Sequence, residues 1–547
     1  MAFSKRESAI PAQRDVTANA LVGRAGIVAA VVRFAPAVVL VALAGAVHAY
    51  NAFRSPMYDD DEGLYMQQAW SFVTSGKLSP YAYFYDHPPL GWFTIGGFAK
   101  LVGGFDAFGT SDNSGRMLML VVHVASAALV YAIVKRIGGS AWAAAVAVLM
   151  FAISPFQILF GREVLLDNLA VFWMLLSVYF LTGERISSRD AACAGLALGA
   201  GLLTKEIVGL MIPGMFVLIW SRLEPGQRRT PAVTWLGVAF GVSALYPLHA
   251  LAISEFFPSG SFLDLKGGDH PNLLAGIKYH QQRARDFGVL DPNSEFWRAA
   301  RSWWRIDPAL AVATVCAIPA AALLARRSKD ALGFGAMIAL FMLFLARGGA
   351  VFDFWLLPVV PLVAIVLALA VDALRDATWR AHTRERAAPM LVRFAPPLTA
   401  ALLAAIAITA VVRVPAYGRS YDRAFRQDQT QAQTQAIDWI EAHVHPSAVI
   451  VIDNYAWVDL HPRYENAHSF WRIDTEKAIR DDLLHNDWRR VDYVSLTPVM
   501  REALDDGKLP LVAQALDHSE LAARFEHDGM WVEIRRVSVA PVAVVAR

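Results

Sequence analysis

The chain has 547 residues, of which 56% are hydrophobic and 18% charged, with a net charge of +2 and a mean hydropathy of +0.38. Soluble domains run at about 45–50% apolar and about 25% charged, so this balance excludes a disordered chain and argues against a plain soluble enzyme. No basic block suits nucleic acid, and the two cysteines, Cys193 and Cys316, lie in apolar runs, which excludes a disulfide framework and a cysteine-based zinc site.

In chain order, Met1 to Arg33 is a polar lead carrying Lys5, Arg6, Arg14, Arg24 and Arg33. A cleaved signal peptide ending near Ala49 competes with a first span here, but the lead is long for one and many apolar runs follow. Runs of about 17–25 apolar residues predict about eleven spans. They lie near 34–53, 117–134, 140–154, 164–182, 190–204, 207–221, 232–253, 308–325, 331–346, 351–373 and 394–413, and several are short. With the N-terminus inside, alternate loops carry Lys135/Arg136, Arg185/Arg189, Arg222/Arg228/Arg229, Arg326/Arg327/Lys329 and Arg375/Arg380/Arg384/Arg386/Arg393. The opposite short loops, 155–163, 204–206 and 346–350, hold one basic residue each. This alternation follows the positive-inside rule, and an odd number of spans puts the C-terminal segment outside. The two long loops, 54–116 and 254–307, fall on the outer side, and their Trp, Tyr and amphipathic stretches predict folded structure.

After about residue 416 the composition becomes that of a soluble domain of about 130 residues. QAQTQAIDWIEAHV (431–444) has helical periodicity, 448–456 and 491–496 read as buried strands, 498–507 as a short helix ended by Gly507, and 530–537 as an edge strand. The predicted fold class is an α-helical polytopic membrane protein with a C-terminal soluble α/β domain. Its parts are a cytoplasmic segment 1–33, a transmembrane domain 34–415 and an extracytoplasmic domain 416–547. The sequence shows no glycine-rich phosphate loop, nucleophile elbow or internal repeat.

The chemistry-bearing residues gather on the predicted outer face. Asp59, Asp60, Asp61 and Glu62 follow the first span, and four successive carboxylates repel unless a cation, a positive substrate group or solvent offsets them. An acidic N-cap for the helix GLYMQQAWSFVTSG explains Asp59 and Asp60, but Asp61 and Glu62 less well. Tyr85-Asp86-His87-Pro88-Pro89-Leu90 is a rigid turn that can hold His87 in place to bind an anion or move a proton. Arg162 and Asp167 stand at the start of the fourth span, where they are either functional or satisfy each other as a pair. Lys205 lies between two tight spans, with snorkelling as its bland explanation, and Arg347 precedes FDFWLLPVVP. Basic groups can bind a lipid phosphate, and a nearby carboxylate can deprotonate an incoming hydroxyl or amine.

In this order, these residues resemble the GT-C class of membrane glycosyltransferases that use polyprenyl-phosphate sugars, and in particular the aminoarabinose-transferase-like (ArnT-like) and protein O-mannosyltransferase-like families. The likeness covers about residues 30–375. It rests on Asp61-Glu62 with GLYMQQAWSFVTSG, on HPPLGWF, Arg162…Asp167 and GLLTKEIVG, and on Arg347…WLLPVVP. The resemblance implies inverting transfer from a polyprenyl-phosphate sugar donor to an extracytoplasmic acceptor, at a multi-pass protein in the bilayer of a bacterial inner or plasma membrane. Asp61 would be the general base, with Glu62 and Asp167 positioning the acceptor or supporting the base. Lys205, Arg347, Arg162 and His87 would bind the donor phosphate. His87 departs from the lysine of the aminoarabinose enzymes, which makes a phosphate role there pH-dependent or absent. The family core requires no cofactor or metal, although the DDDE run could bind a divalent cation, and no nucleic-acid partner is implied. The competing class is a polytopic transporter or flippase, which would place ionisable groups near the bilayer midplane. Here His123 is the main ionisable residue well inside a span.

Overall fold

A computed structural model describes residues 35–78, 85–258, 272–282, 288–325, 327–376 and 390–538. The predicted segment 1–33, parts of both long loops and several arginines of the predicted inner loops lie outside the described residues.

The described chain is a helical membrane bundle followed by a small mixed sheet. Among the described residues, four helices are long and apolar enough to cross a bilayer: Ser111–Arg136, Pro225–Ala252, Asp353–Arg375 and Phe394–Val412. A fifth candidate is the pair Glu295–Ile306 and Pro308–Leu324, bent by 116°. Its corner is built by Asp307, whose carboxylate accepts from Leu310 N–H (3.0 Å), Ser154 Oγ (2.6 Å) and Tyr417 OH (2.9 Å). Other predicted spans are shorter apolar helices, among them Ala141–Ile153, Leu166–Leu181 and Asp330–Ala346. At about 1.5 Å per residue a 13-residue helix falls short of a hydrocarbon core about 30 Å thick. The shortening has local causes. Ser154 and Pro155 end one helix and start another, with Ser154 Oγ accepting from Gln157 N–H. Lys205 adopts an extended backbone (φ −155°, ψ 120°), and the Ser188–Thr204 helix therefore passes into a 3₁₀ turn at Glu206–Met211 before continuing as Ile212–Arg222.

The Val360–Arg375 helix is apolar on all sides and buried on nearly all of them, as expected of a central helix, whereas Phe394–Val412 is mostly uncovered. The first long loop contains the Asp60–Ser75 and Leu90–Val102 helices and the second contains Glu295–Ile306, so both are folded where described.

The sheet has the order β2-β1-β3-β5-β4, with β1 Ile450–Ile452, β2 Ala467–Ser469, β3 Tyr493–Leu496, β4 Ser519–His527 and β5 Met530–Val537. β1 runs parallel to β2 and β3, while β5 pairs antiparallel with β3 and β4. The expected edge strand 530–537 lies inside the sheet, because Val532 and Ile534 face the core and the more polar 519–527 segment takes the edge. Asp528 and Gly529, both at positive φ, make the tight turn between them. The predicted helices are found at Gln431–His443 and Pro498–Asp505, the second followed by Gly507 at φ 70°.

Candidate active site

The first turn of the Asp60–Ser75 helix sorts its acids into separate tasks. Asp59 is the N-cap: its carboxylate accepts from Asp61 N–H (3.0 Å), and its own N–H donates to Glu62 Oε2 (3.0 Å), closing a capping box. Glu62 is fully buried and pairs with Arg116, which donates from Nε to Oε1 (2.9 Å) and from Nη2 to Oε2 (2.7 Å). Val164 N–H also donates to Glu62 (2.9 Å). Arg116 spends its remaining donors on the carbonyls of Ala52, Pro56 and Met57, so the pair ties the preceding loop to the bundle. Asp60 accepts from Asn454 Nδ2 (2.7 Å). Among the described residues none donates to the Asp61 carboxylate, which lines a cavity of about 870 Å³ between the bundle and the C-terminal unit.

Three of the expected basic groups line the same cavity: His87, Lys205 and Arg347. Prolines 88 and 89 lead into the Leu90–Val102 helix and hold His87 at its start. Its Nδ1 lies 3.1 Å from Glu206 Oε2, and its Nε2 lies 3.6 Å from Asp86 Oδ2. His280, from the second long loop, stacks on the His87 ring at 5.7 Å and approaches Asp86 Oδ1 at 3.1 Å. Lys205 Nζ donates to Asp167 Oδ2 (2.6 Å) in a pair that is almost wholly buried, and it lies over the Phe354 ring at 5.3 Å. Arg347 ends the Asp330–Ala346 helix and rests its guanidinium on Phe344 at 3.9 Å.

Glu62, Asp167 and Arg162 do not line the cavity. Asp167 reaches it through Lys205 and is not the partner of Arg162. Arg162 donates all of its N–H groups to backbone carbonyls, those of His48 and Tyr50 (3.1 and 2.7 Å), Val47 and Ser55 (both 3.2 Å) and Ala424 (2.7 Å). That leaves no donor for a phosphate. The positions that sequence reasoning missed are Asp86, Glu206 and His280, and the wall from the C-terminal unit that includes Trp471 and Glu502. Asp86 and Glu206 adjoin residues already singled out. His280 sits in a polar stretch of the loop, and nothing in the 470–509 segment marks it as cavity wall.

The charges tune one another. Burial raises the Asp61 pKa; Lys205 and His87 oppose this while Asp86 and Asp167 add to it, and the net value lies above the ordinary 3.8. Burial lowers that of His87, but Asp86 and Glu206 outweigh burial and hold it above the ordinary 6.5. One ligand atom each from His87, Glu206 and His280 lies within 4.8 Å of the others, so this trio, rather than the DDDE run, has the spacing to hold a metal ion among the described residues. A carboxylate that shares one cavity with several basic groups has the chemistry to take a proton from an acceptor beside a departing anion.

Comparison with known proteins bears on this geometry. Residues 86–249 match the family described as dolichyl-phosphate-mannose-protein mannosyltransferase. The chain resembles this glycosyltransferase family. A stretch of 144 residues is 32% identical to the undecaprenyl phosphate-alpha-4-amino-4-deoxy-L-arabinose arabinosyl transferase of Edwardsiella ictaluri, covering 25% of this chain and 26% of that protein. The structure of ArnT from Cupriavidus metallidurans bound to undecaprenyl phosphate superposes with a TM-score of 0.53 at 14% identity, over 92% of this chain and 98% of that one. The apo oligosaccharyltransferase of Archaeoglobus fulgidus does so with a TM-score of 0.51 at 13% identity, over 93% and 75%. The fold is thus GT-C-like, a helical membrane bundle with a small C-terminal sheet.

Proposed function

We propose that the chain is a membrane glycosyltransferase that moves a sugar from a polyprenyl-phosphate donor to an acceptor on the extracytoplasmic side. The observation that carries this reading is the convergence, in one cavity, of a carboxylate with no donor among the described residues (Asp61) and the basic groups His87, Lys205 and Arg347. The family match over 86–249 and the superposition on a protein that binds undecaprenyl phosphate support the lipid-phosphate donor.

In this mechanism Asp61 takes the proton of an acceptor hydroxyl or amine as that atom bonds to the anomeric carbon. The bond from that carbon to the phosphate oxygen breaks on the opposite side, with inversion, and polyprenyl phosphate leaves. Lys205, Arg347 and His87 stabilise the charge that develops on it. Asp167 orients Lys205, Glu62 fixes the helix start, and Arg162 anchors the loop before it, so the last two act on structure. We assign residues 1–33 to the cytoplasm, 34–415 to the membrane domain and 416–547 to the extracytoplasmic domain, following the arginine and lysine distribution.

The test is incubation of the purified protein with labelled polyprenyl-phosphate sugars and a membrane extract. Label appearing in an acceptor, with release of polyprenyl phosphate, is expected. Release without any labelled product would point to hydrolysis, and label moved across a vesicle membrane unchanged would point to transport.

A further inference from the structure

The turn that carries Asp61 is gripped from outside the bundle. Gln433, in the Gln431–His443 helix, brackets Tyr58: it accepts from Tyr58 N–H (2.8 Å) and donates to the Tyr58 carbonyl (2.9 Å). On the other side of Asp61 the helix touches backbone directly. A Cβ at Gly63 would lie 2.2 Å from Asn454 C and from Tyr455 N, so only glycine lets the chain after β1 lie against the helix there. Asn454 is fully buried; its Nδ2 donates to Asp60 Oδ1 (2.7 Å), and its Oδ1 accepts from Ser469 Oγ at the end of β2. Further along, Trp457 meets Trp70 edge to face at 5.4 Å, and Asp459 accepts from Ser111 N–H and Oγ (3.0 and 2.9 Å). The contacts at residues 58, 60 and 63 surround Asp61, whose own carboxylate points into the cavity.

We propose that Asn454, together with Gln433, is a positioning residue of the C-terminal unit that sets the Asp61 carboxylate for transfer. This rests on the glycosyltransferase reading above, in which Asp61 is the base. It assigns the C-terminal unit a task inside the reaction, beyond forming a cavity wall. The donor-phosphate groups Lys205, Arg347 and His87 belong to the bundle and make none of these contacts, so the clamp acts on the base alone. A displacement of about 1 Å in a reacting group can cost on the order of 100-fold in rate.

The experiment measures steady-state transfer from a labelled polyprenyl-phosphate sugar by full-length Asn454→Ala and by a swap pairing Asp60→Asn with Asn454→Asp, which reverses donor and acceptor across the contact. Asn454→Ala is expected to lower kcat roughly 10- to 100-fold with donor KM within about twofold of wild type, alongside a modest fall in melting temperature because Asp60 and Ser469 lose a buried partner. The swap is expected to regain most of that loss. Unchanged kcat in the folded Asn454→Ala protein, a donor KM that rises in step with the loss, or no recovery in the swap would each overturn the clamp. Should Asn454→Ala fail to accumulate, Gln433→Ala carries the same test through the other contact, with the same expected split between kcat and KM. A wild-type protein that transfers nothing overturns the glycosyltransferase reading itself, and the clamp with it.

Discussion

Asp61 differs from its three acidic neighbours in having no donor among the described residues, and the consequences are kinetic. Asp61→Asn is expected to lower kcat by about 10²–10⁴ with protein abundance unchanged, measured as labelled acceptor formed per minute. Burial raises the Asp61 value, so its ionised form appears at higher pH than that of a free aspartate, and the acid limb of the activity profile is expected to shift upward. His87 works in the opposite sense. Its raised value keeps the imidazolium present below that value, and the charge is lost as pH rises through it. Donor KM is therefore expected to rise on the alkaline side in the native protein. In His87→Lys that rise should move toward the lysine range at about 10, and an unmoved limb would remove His87 from donor binding. Lys205 and Arg347 separate by burial. Lys205→Ala leaves the Asp167 carboxylate buried without its cation, with an expected stability loss of about 3–5 kcal/mol in addition to lost activity. Arg347 rests on Phe344 at the cavity, so Arg347→Ala is expected to raise donor KM without that loss, and thermal unfolding of the two variants compares them directly.

At the scale of elements, the same charged residue types serve two ends, and only tertiary partners distinguish them. Arg162 and Arg347 both stand at helix ends facing the predicted outer side, and sequence reasoning treats them alike. Five carbonyls from distant segments take up Arg162, and no pattern in the sequence marks those carbonyls. Arg162→Ala is expected to cost more than about 3 kcal/mol of stability by leaving those groups unsatisfied, with donor KM unchanged in whatever protein survives. Glu62 is similar: its acidity is plain from the DDDE run, but Arg116, 54 residues later, decides that it is structural. Hydrophobic runs marked several helix ends closely, the expected 140–154 and 190–204 being found as Ala141–Ile153 and Ser188–Thr204, whereas the 3₁₀ turn at Glu206–Met211 at the head of the expected span 207–221 leaves no mark in hydropathy. The strand at 530–537 was legible from its alternation, but its place inside the sheet depends on a more polar neighbour whose alternation is weak.

Across the whole molecule, the basic loops predict which side each part faces, and this can be measured without reference to activity. In a background with Cys193→Ser and Cys316→Ser, a cysteine introduced at Gly226, where a side chain meets open space, is expected to resist a membrane-impermeant maleimide in intact spheroplasts. One introduced at the exposed Arg489 is expected to react. Reaction of Gly226→Cys alone would reverse the assigned orientation, and reaction of both would overturn it by placing the two positions on one side. The division between bundle and sheet was readable from composition, whereas the contact between them was not, because Gly63 and Asn454 carry no functional signature until they are seen together.

That contact has a consequence for biogenesis. Asn454 follows Asp60 by 394 residues, which at about 5–20 residues per second is a delay of about 20 to 80 s during synthesis. Lys205 and Arg347 precede Asn454 by 249 and 107 residues, so both have been made only for about the last 5 to 20 s of that interval, while the Asp60–Ser75 helix still lacks its outer grip. If Asn454 sets the Asp61 carboxylate as proposed, transfer is expected to begin only once the C-terminal unit has folded against the Asp60–Ser75 helix, after the cavity cations are already in place.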